Sequence, residues 1–149
     1  MTPSTLPTLP CMCGSFRRTS RALTQLYQTA LRPLGLRPTQ FTILQVLSRA
    51  GETSQGRLGE MLAMDSTSLT RALAIMTRHG WIMERRGEDK RERWLRLASG
   101  GERKLGSALP AWEKIQSRLR QQVGDQAWNN LLQLTQQVTE MIATQGGSL

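Results

Sequence analysis

The chain has 149 residues, with 20 Lys+Arg against 11 Asp+Glu, giving a formal net charge of +9. That length suits one domain or two small lobes sharing a core, and no apolar run approaches the ~18–20 residues of a membrane span. A single histidine excludes most histidine-based catalysis, two cysteines cannot staple a secreted mini-fold, and a basic, cytoplasmic protein with a polyanionic partner is expected.

Residues 1–13 are expected to form a flexible tail, since Met1 to Pro10 carries three prolines and no helical or strand period. The first 50 residues hold six arginines and no acid, as a mitochondrial leader does, but the same stretch has a core pattern that a disposable leader does not need. From Gly14 to Leu34, Phe16, Leu23, Leu26, Tyr27, Ala30 and Leu31 recur at helical spacing, and Pro33 and Gly35 mark the end. Pro38-Thr39 opens a second helix with Phe41, Leu44 and Leu47 on one face and Gly51 as its stop. Ser54 caps a short third helix carrying Leu58, Met61 and Leu62. After a turn at Ala63-Met64, Asp65 or Ser66 caps a fourth helix that buries Leu69, Leu73 and Met76 and stops at His79-Gly80.

Trp81 to Arg86 and Arg93 to Leu97 then read as two short strands, joined by the charged loop Gly87 to Glu92. Beyond Ser99-Gly100-Gly101 a long helix runs through Leu105, Leu109, Trp112, Ile115, Leu119 and Val123, with Pro110 expected to kink it or restart it. Gly124-Asp125 precedes a last helix with Trp128, Leu131, Leu132, Thr135, Val138 and Ile142. The expected class is mostly α with a small β wing, a winged helix-turn-helix plus a helical lobe.

A short helix, a tight turn and a second helix rich in Ser, Thr and Arg suit a major groove, where hydroxyls and guanidinium groups meet base edges and phosphates. The fourth helix presents Ser66, Thr67, Ser68, Thr70, Arg71 and Arg78 opposite its apolar side, and Ser54 stands at the start of the preceding helix. Arg71 is the best single candidate for a base contact, because its planar fork spans guanine O6 and N7. A lone hydroxyl-rich helix is more often a solvated surface. The hairpin behind it, with Lys90, Arg91 and Arg93 on a thin ribbon shaped for a minor groove, shifts the balance towards double-stranded DNA.

The run Met64 to Leu73, then His79-Gly80-Trp81-Ile82-Met83-Glu84-Arg85-Arg86, Asp89-Lys90-Arg91 and Leu95-Arg96-Leu97, resembles the MarR family of bacterial transcription regulators. The likeness extends over about Gly14 to Thr144. The wing is shorter than the family's usual loop, and Leu97-Ala98 stands where the family has Leu-Thr. The resemblance implies that Arg91 enters the minor groove while Asp89 steadies its guanidinium. It also implies a homodimer, assembled through the N- and C-terminal helices, on an inverted repeat. The corresponding division is a winged helix-turn-helix at 37–99 and a dimerisation lobe at 14–36 and 100–145. Independently, the last helices carry more apolar positions than a thin lobe can bury alone.

Two switching signals are open. An aromatic, anionic effector is expected near Arg17, Arg21, Tyr27 and Phe41, unless those arginines only add to the positive field. Cys11 and Cys13, at a helix start near Arg17 and Arg18, favour thiolate chemistry: oxidation, or capture of a soft metal with a second subunit's help. Otherwise they are two small residues with no sensing role, and Met12 between them is expected in the core. Scattered acids and the absence of a Gly-rich phosphate loop argue against an enzyme or a cofactor. The alternatives are a non-specific architectural protein that binds nucleic acid, or a regulator that senses redox state or metal through its cysteines.

Overall fold

Helix α2, Pro38–Ala50, shows how local chemistry starts each element. Proline in its first turn has the right φ already, and the Gln40 side chain accepts the Arg37 N–H at 2.9 Å. In the computed structural model, which describes residues 6–146, α1 spans Met12–Leu31 and a 3₁₀ turn covers Arg32–Leu34. After α2 come β1 (Thr53–Ser54), α3 (Gln55–Leu62), α4 (Ser66–Arg78), β2 (Ile82–Arg86), β3 (Arg93–Leu97), α5 (Ser99–Val123) and α6 (Asp125–Gln145). The three strands form an antiparallel sheet in the order β1-β3-β2. This is the mostly helical winged helix-turn-helix expected.

The chain divides into two compact units, Met1–Trp112 and Glu113–Leu149. In the first, α2 packs on β3 and α4, and α3 on β3 and α4. Leu31, Ile43, Leu44, Leu58, Met76 and Leu95 are wholly buried there. Burial of this extent, at roughly 25 cal/mol per Å² of apolar surface, is what orders the short elements between them. Ser54 Oγ accepts the Arg57 N–H at 3.2 Å and Asp65 Oδ1 accepts the Ser68 N–H at 2.8 Å, capping α3 and α4. In the second unit α6 follows Gly124, and Arg120 pairs with Asp125 across the corner.

Several expectations need correction. Residues 1–5 of the expected tail lie outside the described residues. Helix α1 starts at Met12, before Gly14, and residues just ahead of it lie against it: the carbonyls of Pro7 and Leu9 accept from Arg18 and Ser15. Met12 is not core; it is 64% exposed. Met61 is 45% exposed, since only Leu58 and Leu62 of α3 face the core. Strand β1 is two residues long, too short for periodicity to reveal, and exists only because β3 supplies partners, Thr53 to Leu95 and Ser54 to Trp94.

Helix α5 begins at Ser99, so Gly100 and Gly101 lie inside it rather than before it, and Pro110 neither ends nor restarts it. The carbonyl that Pro110 leaves without a partner belongs to the exposed Gly106, where water is at hand. Gly101 permits a close approach: a Cβ there would stand 2.1 Å from the Trp81 carbonyl oxygen, which also receives the Ala98 N–H at 3.0 Å. At Gly106 the same atom meets nothing within 4 Å. Gly101→Ala is expected to lower the urea midpoint sharply. Gly106→Ala is expected to raise it by about 1 kcal/mol of stability through helix propensity.

Candidate nucleic-acid interface

Burial of Leu69, Leu73 and Met76 fixes the rotation of α4 about its own axis. Ser66, Thr67, Ser68, Thr70, Arg71 and Arg78 therefore face solvent, with all six exposed. The Asp65 carboxyl that caps the helix is held below its ordinary range, first by the Ser68 N–H and then by the Ser68 hydroxyl. Gln55, the first residue of α3, donates from Nε2 to Thr70 Oγ1 at 2.9 Å. Sequence reasoning missed Gln55. Its only signal was its place, one residue after a capping serine and 15 residues before a hydroxyl on the exposed face.

The second element is the hairpin of β2 and β3, paired from Ile82–Leu97 to Arg86–Arg93. At its tip the Gly87 N–H meets the Glu92 carbonyl, and the Glu92 N–H meets that of Asp89, each at 2.9 Å. Arg86 Nη1 donates to the Lys90 carbonyl at 2.8 Å, so Arg86 closes the loop from beneath. Asp89 does not engage the Arg91 guanidinium as expected; its Oδ1 accepts the Arg91 backbone N–H at 2.9 Å. In so tight a turn the amide two residues on is the nearest donor for a carboxylate. Lys90 and Arg91 are exposed, whereas Arg93, expected to face DNA, is drawn to Glu84 at 3.1 Å across the hairpin. Neighbouring positions on one sheet face bring those opposite charges together.

The hairpin is tied to the rest of the first unit one pair short of its tip. Glu52, just before β1, takes both Nε and Nη2 of Arg85 at 2.7 Å, a bidentate pair, and the same guanidinium lies 5.2 Å from the Trp94 ring centre. Neither Glu52 nor Arg85 stood out in the sequence. Between α3, α4 and the hairpin is an open cleft of about 740 Å³, whose walls include Ser54, Gln55, Ser66, Thr70 and Arg91.

The expected effector residues do not converge. Phe41 is 2% exposed and packs 6.0 Å from the Trp112 ring, and Tyr27 is half-buried against the same core, where burial raises its phenol pKa. Arg17 and Arg21 are exposed on α1, and Arg17 lies ten residues before Tyr27, about 15 Å along the helix axis. Phe41, expected beside an aromatic carboxylate with the arginines, belongs to the core instead. Cys11 and Cys13 are exposed free thiols at the start of α1, with Cys11 at the N-cap position. No group of three His, Cys, Asp or Glu among the described residues is placed to hold a metal ion. No described helix is long and apolar enough to cross a membrane. His79 ends α4 and stacks on Trp81 at 4.6 Å, in keeping with a structural role.

The MarR family model matches residues 36–92. The uncharacterized HTH-type transcriptional regulator YwoH of Bacillus subtilis (strain 168) is 29% identical over 87 residues, or 58% of this chain, and the match spans 64% of that relative's length. Among solved structures, the M. tuberculosis transcriptional regulator MosR in complex with DNA is 32% identical, with a TM-score of 0.80 over 93% of this chain and 99% of that one. A mutant MarR from E. coli complexed with operator DNA shares the fold, with a TM-score of 0.75 at 21% identity over 85% of this chain and 92% of that one.

The Glu52–Arg85 pair has a pH signature. Hydrogen bonding to Arg85 lowers the Glu52 pKa, so the unfolded chain binds the proton more readily than the folded one. Its stabilisation is therefore full above the ordinary glutamate pKa of ~4.3 and is lost as pH falls through the lower folded value. Wild type is expected to lose more of its urea midpoint between pH 7 and pH 3 than Glu52→Gln does. Parallel curves for the two proteins would show that the pair contributes nothing.

Proposed function

The chain belongs to the MarR family of transcription regulators, and from that premise we propose that it binds double-stranded DNA sequence-specifically, as a homodimer on an inverted repeat, and acts as a repressor. The observation that carries this reading is the shared exposure, in one compact unit, of the hydroxyl and arginine face of α4 and the Arg91-bearing hairpin. Groups of these kinds serve different grooves: hydroxyls and Arg71 suit base edges in the major groove, and Arg91 on a narrow ribbon suits the minor groove. The 32% identical M. tuberculosis protein was solved in complex with DNA, which supports a DNA partner here.

Pairing is supported by apolar side chains that each unit leaves uncovered. On α1 these are Phe16, Leu23 and Leu26; on α6 they are Leu131, Leu132, Leu134, Met141 and Ile142, with Leu132 57% exposed. A second copy is the natural cover, and two-fold pairing presents two recognition helices to successive major grooves, ~34–36 Å apart. Residues 37–99 are the DNA-binding part in this reading, with 14–36 and 100–145 the pairing part.

For release, the exposed thiols of Cys11 and Cys13 are better placed than an aromatic ligand at Phe41, which the core already holds. A peroxide converts an exposed thiol to a sulfenic acid with loss of water, leaving a polar, reactive group at the start of α1.

Selection from a random duplex pool tests the reading directly. Wild type is expected to prefer its selected site over random duplex by ~10³-fold or more at physiological salt. Equal binding to both would favour a non-specific architectural protein. Arg91→Ala is expected to weaken all duplexes and to reduce the log K against log salt slope by about one; Arg71→Ala is expected to relax the preference at particular base pairs by about 1–3 kcal/mol. Peroxide is expected to release wild type from the selected site but not the Cys11→Ser, Cys13→Ser double variant. Release of both alike would remove the thiols from the mechanism.

A further inference from the structure

Threonines inside helices commonly turn the hydroxyl proton back to a carbonyl of the preceding turn. Thr29, Thr42, Thr135, Thr139 and Thr144 do so here, whereas among the described residues Thr19, Thr24 and Thr77 do not. Nor does Thr70: its oxygen accepts from Gln55 Nε2 at 2.9 Å, and among the described residues its hydroxyl donates to nothing. The other end of the Gln55 amide, Oε1, is buried and has no hydrogen-bond partner among those residues. A hydroxyl whose oxygen is already accepting keeps its proton for a different acceptor.

The cleft that Thr70 faces has a mixed lining, with Met64 and Leu69 among its walls and several donors at its edge. Arg91 contributes a guanidinium, and Gln55 and Gly56 open α3, where backbone N–H groups have no acceptor within the helix. The two carboxylates on the cleft wall are engaged: Glu60 with Arg57 at 3.0 Å, and Glu92 with the Trp94 indole N–H at 3.3 Å. The Thr70 hydroxyl and the Arg91 guanidinium, both on this cleft, are donors that suit an oxygen bearing negative charge.

We infer that Gln55 is a positioning residue that holds the Thr70 hydroxyl outward as a donor to one backbone phosphate of bound DNA, in the cleft between α3, α4 and the hairpin. This rests on the DNA-binding reading above. Thr70 touches the phosphate, and Gln55 acts through Thr70.

The test uses the full chain and the duplex it selects from the random pool, with single methylphosphonate linkages scanned across the half-site so that each phosphate is neutralised in turn. Wild type is expected to lose about tenfold in affinity at the phosphate under Thr70, in line with a hydrogen bond to a charged group. Gln55→Ala, Gln55→Glu and Thr70→Val are each expected to bind the unmodified duplex about tenfold more weakly and to ignore neutralisation of that phosphate. The Gln55→Ala, Thr70→Val double variant is expected to be no weaker than either single variant, and Thr70→Ser to restore the wild-type profile. The proposal is overturned if Gln55→Ala keeps the wild-type profile, whether its affinity is unchanged or lowered on every duplex alike. It is also overturned if the two single losses add in the double variant. A wild-type protein that selects no duplex defeats the DNA-binding reading itself, an outcome plainly different from a normal site that is indifferent to Gln55.

Discussion

Strand β3 is held on both edges while its Leu95 side chain is wholly buried in the core. One edge takes the two residues of β1, which lead directly into α3; the other takes β2, which follows α4. A side chain on the opposite strand face cannot exchange places with Leu95 without moving the whole register by one residue, which would expose every inward group. The hairpin root and the starts of α3 and α4 are therefore set relative to one another by one buried position and the ladders beside it. The tip, which carries Lys90 and Arg91, is left to its own short turn.

That arrangement sorts the charges. Most acids near the α4 face and the hairpin are engaged within the protein, with Glu88 of the hairpin loop the exception among the described residues. Glu52 pairs with Arg85, Glu84 with Arg93 and Glu60 with Arg57, while Asp65 caps α4, Asp89 holds the wing-tip backbone and Glu92 takes the Trp94 indole. Exposed pairs of this sort add little to stability, since water and salt screen them. Their larger effect is on the field, because they cancel the arginines that build the hairpin and leave Arg71, Arg78, Lys90 and Arg91 without a partner among the described acids. A net charge of +9 thus becomes a local surface with a direction, as a polyanion requires.

The apolar residues are sorted differently in the two units. In the first, a contiguous core takes side chains from α1, α2, α3, α4, the sheet and α5. In the second, the larger aliphatic groups of α6 stay exposed within the single chain. Surface of that kind is costly to leave in water at roughly 25 cal/mol per Å². The pairing proposed above would cover it with a second copy of the chain, in a symmetry that matches an inverted repeat.

Most of the winged helix was legible in the sequence, because its elements announce themselves locally. Apolar spacing in α2 and α4, capping by Ser54 and Asp65, the stop at Gly80 and the alternation of β3 are all nearest-neighbour chemistry. The exposed face of α4 followed from its buried face by simple rotation. What escaped depended on groups far apart in the chain. The two residues of β1 have no period of their own, and the Glu52–Arg85 and Gln55–Thr70 contacts span 33 and 15 residues. The expectations for Phe41 and Arg93 missed what stands opposite each side chain in the fold. Trp112 and Glu84 stood opposite, and only folding brought them there. The sequence alone therefore determined which elements form and which of their faces are apolar, since those depend on neighbours within a few residues. The tertiary structure decided which polar groups remain available, since each is available only if no distant partner reaches it first.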